Sequence, residues 1–94
     1  MQFDRDQKKA ASNLKKHSVS FDEAETVFGD SLAAVFLDED HSIEEKREII
    51  IGYSANQRLL VVSFTEGTHE VIRIISARRA DPDERRNHEN ESAR

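Results

Sequence analysis

An arginine sits in the middle of a strongly β-prone run, Glu70-Val71-Ile72-Arg73-Ile74-Ile75-Ser76-Ala77-Arg78-Arg79, which closes on two further arginines. Burying an unpaired guanidinium is costly, so Arg73 must meet either a carboxylate or an external anion. Its planar fork suits phosphate, so the strand could aim Arg73 into a phosphate-binding cleft. The structural alternative for Arg73 is an ion pair with Glu48, Glu66 or an acid on a neighbouring helix, and for the Arg78-Arg79 doublet a solvated strand end. Strict alternation puts Val71, Arg73, Ile75 and Ala77 on one face and Ile72, Ile74, Ser76 and Arg78 on the other. Arg73 and Arg78 can share a cleft only if the strand carries a bulge or twists at its end.

Several elements must hold this strand. Asp6 caps a helix read over about 7–17, with Ala10, Leu14 and His17 along one face. Ser20-Phe21-Asp22-Glu23 is a capping box that opens a second helix ending near Gly29, with Val19 placed to staple onto Ala24 and with Phe21, Ala24, Val27 and Phe28 facing a core. Beyond residue 31 the period becomes that of a sheet: Leu32 to Leu37, Glu48 to Tyr53, Leu59 to Thr65 and Val71 to Ser76 read as strands. Short polar turns, Ser54 to Gln57 and Glu66 to His69, make the last three an antiparallel meander, and Asp38 to Glu45 is a longer acidic loop. The runs Ile49-Ile50-Ile51 and Leu59-Leu60-Val61-Val62 do not alternate, so both sheet faces must be covered at least in part. Asp81-Pro82-Asp83-Glu84 starts a last helix. That helix lacks an apolar stripe and should dock poorly, offering Arg85, Arg86 and His88 to solvent or a ligand. The expected fold is α+β: two N-terminal helices packed on a four- to five-stranded, mainly antiparallel sheet, followed by a short C-terminal helix. Residues 1–90 should form one domain and 91–94 a disordered tail.

Ninety-four residues bury too little surface for two cores or a large enclosed cavity. The absence of cysteine excludes a disulfide scaffold and thiol chemistry. With no apolar leader and no run near the ~18–20 apolar residues of a membrane span, a cytoplasmic protein is the expectation. The net charge of −5 is unevenly spread, at +3 over residues 1–20, −9 over 21–45 and +1 over 46–94. A basic face for RNA and an acidic segment for a basic protein partner can therefore coexist. Asp38-Glu39-Asp40-His41 with Glu44 and Glu45 lacks the spacing of a calcium loop or zinc site and reads as a solvated loop, and His41 and His69 have no sequence partners for zinc.

The pieces Asp6-x-x-Lys9-x-x-x-Asn13-x-x-Lys16-His17-x-Val19-Ser20-Phe21-x-Glu23-Ala24, Val27-Phe28-x-Asp30, Arg47 ahead of Ile51-Gly52-Tyr53-Ser54, and Arg73-Ile74-Ile75-Ser76-Ala77-Arg78-Arg79-Ala80 before Glu84-Arg85-Arg86 share one order and spacing. In these the chain resembles the BrnT family of bacterial toxins, of the RelE/ParE-like ribonuclease-toxin fold, over about residues 3–90. It departs from the family's usual residues at Arg5 (usually Trp), Ser18 (usually Gly) and His88 (usually Tyr).

The resemblance implies a metal-independent endoribonuclease that cleaves mRNA and inhibits translation, using the 2′-hydroxyl of the RNA as nucleophile and no cofactor. It also implies neutralisation by a cognate BrnA-like antitoxin, which binds operator DNA to repress the operon and makes a 2:2 heterotetramer with the toxin. Cations must then meet the developing phosphorane charge, with one proton acceptor and one donor. Arg73, Arg78 and Arg79 fit the first task, and His17 and His88 are the matched-region candidates for the second. His17 also suits the negative end of its helix dipole, and His88 a solvated tail. Lys9, Lys16, Arg47, Arg79, Arg85 and Arg86 are candidate RNA contacts, Lys9 and Lys16 being more simply a solvated helix face together with Lys15. With few aromatics to stack bases, Tyr53 and Phe64 foremost, a weakly active or non-catalytic complex-forming subunit is the alternative, as is a toxin acting on a non-RNA target such as gyrase.

Overall fold

The computed structural model describes residues 1–41 and 46–92, so Glu44 and Glu45 of the acidic loop lie outside the described residues. Its elements are β1 (Gln2–Asp4), α1 (Gln7–His17), α2 (Phe21–Thr26) running into a 3-10 turn at Val27–Gly29, β2 (Ala34–Leu37), β3 (Arg47–Tyr53), β4 (Leu59–Glu66), β5 (Val71–Arg79) and α3 (Pro82–Ser92). The strands form one five-stranded sheet in the order β1-β5-β4-β3-β2. The meander of β3, β4 and β5 and its antiparallel pairing with β2 follow the expected hairpins. The short β1, absent from the sequence reading, pairs parallel to β5 with Asp4 beside Arg73. A three-residue strand carries too little periodicity to be read, and its pairing is decided by the neighbour it meets.

The caps behave as their residue types require. The Asp6 carboxylate accepts from the N–H groups of Lys8 and Lys9, and Ser20 Oγ accepts from Glu23 N. Ser18 ends α1 in the left-handed region at φ 58° and ψ 32°, with its N–H on Leu14 O. That conformation is steric work for any L-residue and is the reason glycine suits the position.

Two layers enclose the core. Val19, Phe21, Ala24 and Val27 pack on Ile50, Leu60, Val62, Phe64, Ile72, Ile74 and Ala77, with Phe3 and Phe28 along its border. The stripe expected on α1 needs correction, because Leu14 is 53% exposed and the buried residue is Asn13. Asn13 Nδ2 donates to Val19 O and Ala77 O, and its Oδ1 accepts from Ala77 N at 3.0 Å. One amide side chain thus closes the open edge of β5 beyond the end of β1, a polar docking that apolar periodicity cannot reveal.

Gly52 shows how tightly the 3-10 turn sits on β3. A Cβ there would lie 2.8 Å from Ala33 Cβ, 3.0 Å from Asp30 Oδ2 and 3.1 Å from Val27 Cγ1. Asp30 is fixed by accepting from Tyr53 N and Leu32 N. Gly52→Ala is therefore expected to cost about 1–3 kcal/mol by overpacking, read as a lower urea midpoint at unchanged slope. A midpoint equal to that of the parent would show that the turn yields.

The opposite sheet face is covered at one end by α3. Leu59 and Val61 are buried there, as the non-alternating runs require. Despite lacking an apolar stripe, α3 docks, and it does so through polar groups. Asp81 and Glu84 form a reciprocal cap, with Asp81 N on Glu84 Oε1 and Glu84 N on Asp81 Oδ1. Both oxygens of Glu84 also take the Arg78 fork at 2.8 Å each. His88 is buried, edge-on to Tyr53 at 5.9 Å between ring centroids. The helix runs on to Ser92, two residues into the segment expected as a tail.

Candidate active site on the open sheet face

The register of the sheet decides which arginines share a face. Val62 pairs with Ala77 and Phe64 with Ile74 on the helix side, while Ser63 pairs with Ser76 and Thr65 with Arg73 on the other. One residue of β4 therefore spans two of β5, and Ile75 is the extra residue of a bulge. The bulge inverts the alternation, so that Arg73, Ser76 and Arg78 all face away from α1 and α2. Arg79, opposite Leu60, is left on the helix side, at the strand end.

Across the sheet, Arg73, Thr65 and Arg47 form one row. Side chains on alternate strands are about 10 Å apart, so Arg47 and Arg73 bracket Thr65 at that spacing. Asp4 stands beside Arg73 at one end, and its carboxylate accepts from Arg73 Nη2 at 2.8 Å. At the other end Asp38 N donates to Arg47 O. The ion pair expected with Glu48, Glu66 or a helix acid is thus made instead with Asp4, an acid brought by the unread strand. Hydrogen bonding and charge from Arg73 hold the Asp4 carboxyl below its usual range. Both partners are about half exposed, and such surface pairs exchange readily with other ions.

Arg78 stands two rows away, beside Val61. Its guanidinium rises further above the ordinary arginine value because Glu84 accepts from it, and that bond in turn lowers the Glu84 carboxyl. Lys9, Lys16 and His17 line a shallow groove with Ser12, Asn13, Ile75 and Ser76. The basic edge of α1 therefore meets β5 at the bulge, between Arg73 and Arg78 in sequence.

His88 belongs to the other end of the face. It lines a cleft of about 420 Å³ with Ala34, Phe36, Ile51, Glu84, Asn87, Asn90 and Glu91. Ile51 lies in the row of Val61 and Arg78, four residues along β3 from Arg47, which is about 13 Å. The structure brings His88 and Arg78 to one end of the sheet but does not bring His88 to Arg73. Arg85 and Arg86 are exposed on another side of α3, with Arg85 near Glu89 and Arg86 paired to Asp83 at 3.1 Å. Neither lines the cleft of His88.

Two constellations escaped the sequence reading. Glu23 uses its backbone for the cap, while its carboxylate, 8% exposed, accepts from Ser54 Oγ at 2.7 Å, from Arg58 Nε at 2.9 Å and from Arg58 Nη2. These bonds, Arg58 foremost, lower its pKa to about 2. Arg58 also donates to Ser18 O, so it ties the α1–α2 corner to the β3–β4 turn. Arg5 pairs with Asp22 and Glu25 and lies over the Phe21 ring. The signal for the first was a capping-box glutamate, whose second role has no sequence mark. Among the described residues no three His, Asp or Glu side chains converge as a metal would require.

Residues 6–84 match the model of the family described as the ribonuclease toxin BrnT of type II toxin–antitoxin systems. The chain belongs to the BrnT family. The crystal structure of the Brucella abortus ribonuclease toxin BrnT resembles it at a TM-score of 0.67 and 25% identity, over 86% of this chain and 97% of that one. No curated protein sequence matches it. Membership of BrnT makes the chain a toxin of a type II system, with an antitoxin as partner and ribonuclease activity as the family's character. No helix among its described residues is long and apolar enough to cross a membrane.

Proposed function

We propose that this BrnT-family chain is a cytoplasmic endoribonuclease that cleaves mRNA without a metal and so inhibits translation, on the sheet face carrying Arg73. The supporting observation is the β5 bulge, which puts Arg73 and Arg78 on one face with Arg47 in the row of Arg73. The 2′-oxygen of the RNA attacks the adjacent phosphorus and the bond to the 5′-oxygen breaks, the departing oxygen taking a proton from solvent on this open face, to leave a 2′,3′-cyclic phosphate and a 5′-hydroxyl. Arg73, assisted by Arg47, meets the phosphorane charge, for which a preorganised guanidinium is suited. RNA phosphate displaces Asp4, which otherwise keeps Arg73 extended over the row. His17, in the groove where the edge of α1 meets β5, takes the 2′-proton of RNA that wraps from the Arg73 face over that edge, while Lys9 and Lys16 hold the flanking backbone. Arg78 and His88 serve the other end of the face, where the leaving strand departs past Arg85 and Arg86; Arg79 contacts backbone at the strand end. The antitoxin carries the operator-binding domain, represses the operon and assembles with the toxin as a 2:2 heterotetramer. Residues 1–90 act as the toxin domain.

The competing reading, a complex-forming subunit with little activity, draws on one observation: Arg73 and Arg78 already have carboxylate partners. End-labelled single-stranded RNA incubated with antitoxin-free protein in excess EDTA separates the two. Cleavage is expected to persist, with cyclic-phosphate and 5′-hydroxyl ends. Cleavage abolished by EDTA would overturn metal independence, and RNA left intact with and without metal, free or on ribosomes, would favour the complex-forming subunit.

A further inference from the structure

β2 ends the sheet, and among the described residues no strand lies beyond it. Yet it carries consecutive large apolar side chains in the open: Val35 is 53% exposed, and Phe36 and Leu37 are each 49% exposed. The hydrogen-bond phase shows what its backbone offers. Asp38 N bonds to Arg47 O at 2.9 Å. Antiparallel pairs alternate between bonded and non-bonded, so Phe36 and Ala34 turn their main-chain groups toward β3, and Val35 and Leu37 turn theirs outward. The edge is short, four residues, but apolar and uncovered by any described strand, the kind that proteins otherwise shield with charge, proline or a cover.

The surroundings of the edge state the chemistry of its cover. Glu39 and Asp40 are exposed just past the strand, within the segment 21–45 that holds nine acids and no Lys or Arg. Phe36 and Ala34 form one wall of the cleft whose far side is His88, Glu84 and Glu91. There His88 Nε2, in a residue 8% exposed, has no hydrogen-bond partner among the described residues. A buried ring nitrogen left this way is costly unless something enters to satisfy it. A second copy is the wrong occupant, since pairing two β2 edges would press two such acidic segments together.

We propose that β2 is the docking edge for an extended segment of the antitoxin in which apolar residues alternate with Arg or Lys. The segment adds a sixth strand bonded to the main chain of Val35 and Leu37, its apolar side chains cover Val35 and Leu37, and a donor side chain reaches past Phe36 to His88 Nε2 and Glu91. This rests on membership of a toxin–antitoxin family and not on the ribonuclease chemistry proposed above.

The test is amide hydrogen exchange on the full chain, free and in complex with its co-expressed antitoxin. The Val35 and Leu37 amides are expected to exchange at least about tenfold more slowly in the complex, each hydrogen bond contributing roughly that factor. A Val35→Pro/Leu37→Pro variant removes both outward donors while leaving the bonds to β3, as edge prolines can. It should bind antitoxin about 10- to 100-fold more weakly, with unchanged melting temperature and unchanged RNA cleavage by the free protein. If that variant does not fold, Glu39→Lys/Asp40→Lys, at exposed positions, should weaken binding severalfold and flatten its salt dependence. Equal exchange of Val35 and Leu37 in both states, or their protection in the free chain together with a dimeric mass, would overturn the proposal. Loss of RNA cleavage with intact antitoxin binding would bear only on the catalytic reading.

Discussion

Arg73→Ala is expected to lower the single-turnover rate of RNA cleavage by about 100-fold or more, the usual consequence of removing one preorganised charge donor from an oxyanion site. Its melting temperature should stay close to that of the parent, because the Arg73–Asp4 pair is about half exposed and its partner is free to rehydrate. Arg73→Lys keeps the charge but loses the fork and should fall between the two. Asp4→Asn sharpens the reading. If Asp4 only occupies Arg73 until RNA arrives, the variant should bind RNA more tightly with the chemical step little changed. An Arg73→Ala protein that is folded and cleaves within twofold of the parent would remove Arg73 from the site. Arg78→Ala is the less clean experiment, since Arg78 also holds Glu84 and with it the start of α3.

The largest stability effect belongs to Arg58. Glu23 is nearly inaccessible, whereas the Arg58 side chain keeps 27% exposure, so removing one partner is not equivalent to removing the other. Arg58→Ala leaves a buried carboxylate uncompensated and should cost about 3–5 kcal/mol. Glu23→Ala leaves a guanidinium that can turn to water and should cost less. In a domain of this size, where each kcal/mol moves the melting temperature by about 4–8 °C, the first change should lower it by about 12–40 °C, which a thermal melt would show. A melt shifted by only a few degrees would mean that water already relaxes the pair.

The same pair sets an acid limit. The folded pKa of Glu23 is lowered from 4.5 to about 2, so its contribution is fully present above pH 4.5 and is lost as pH falls from there toward 2. A shift of that size corresponds to about 3 kcal/mol. Glu23→Gln should therefore unfold with a flatter pH dependence between 5 and 2 than the parent. Equal slopes would place acid sensitivity elsewhere.

The order of residues already fixes the elements that speak through caps and local period. Asp6, Ser20 and Asp81 start their helices, and the β3, β4 and β5 meander follows from its turns and apolar runs. It also carried the family, whose motif residues span both layers. What it left open were the contacts made by polar groups across the fold: Asn13 on the edge of β5, Arg58 on Glu23, Arg78 on Glu84, and His88 buried against Tyr53. Such pairs have no period and join residues up to 64 positions apart, so nothing local marks them.

The face of Arg73 and Arg78 was likewise undetermined. Alternation separates them, and only pairing with β4, which places one residue against two at Ile75, brings them to one side. A bulge is a property of two strands together, as is the outward phase of Val35 and Leu37 on an unpaired edge. The cations themselves were therefore written in the residue types, while the face that Arg73 and Arg78 share was decided by the register of the sheet.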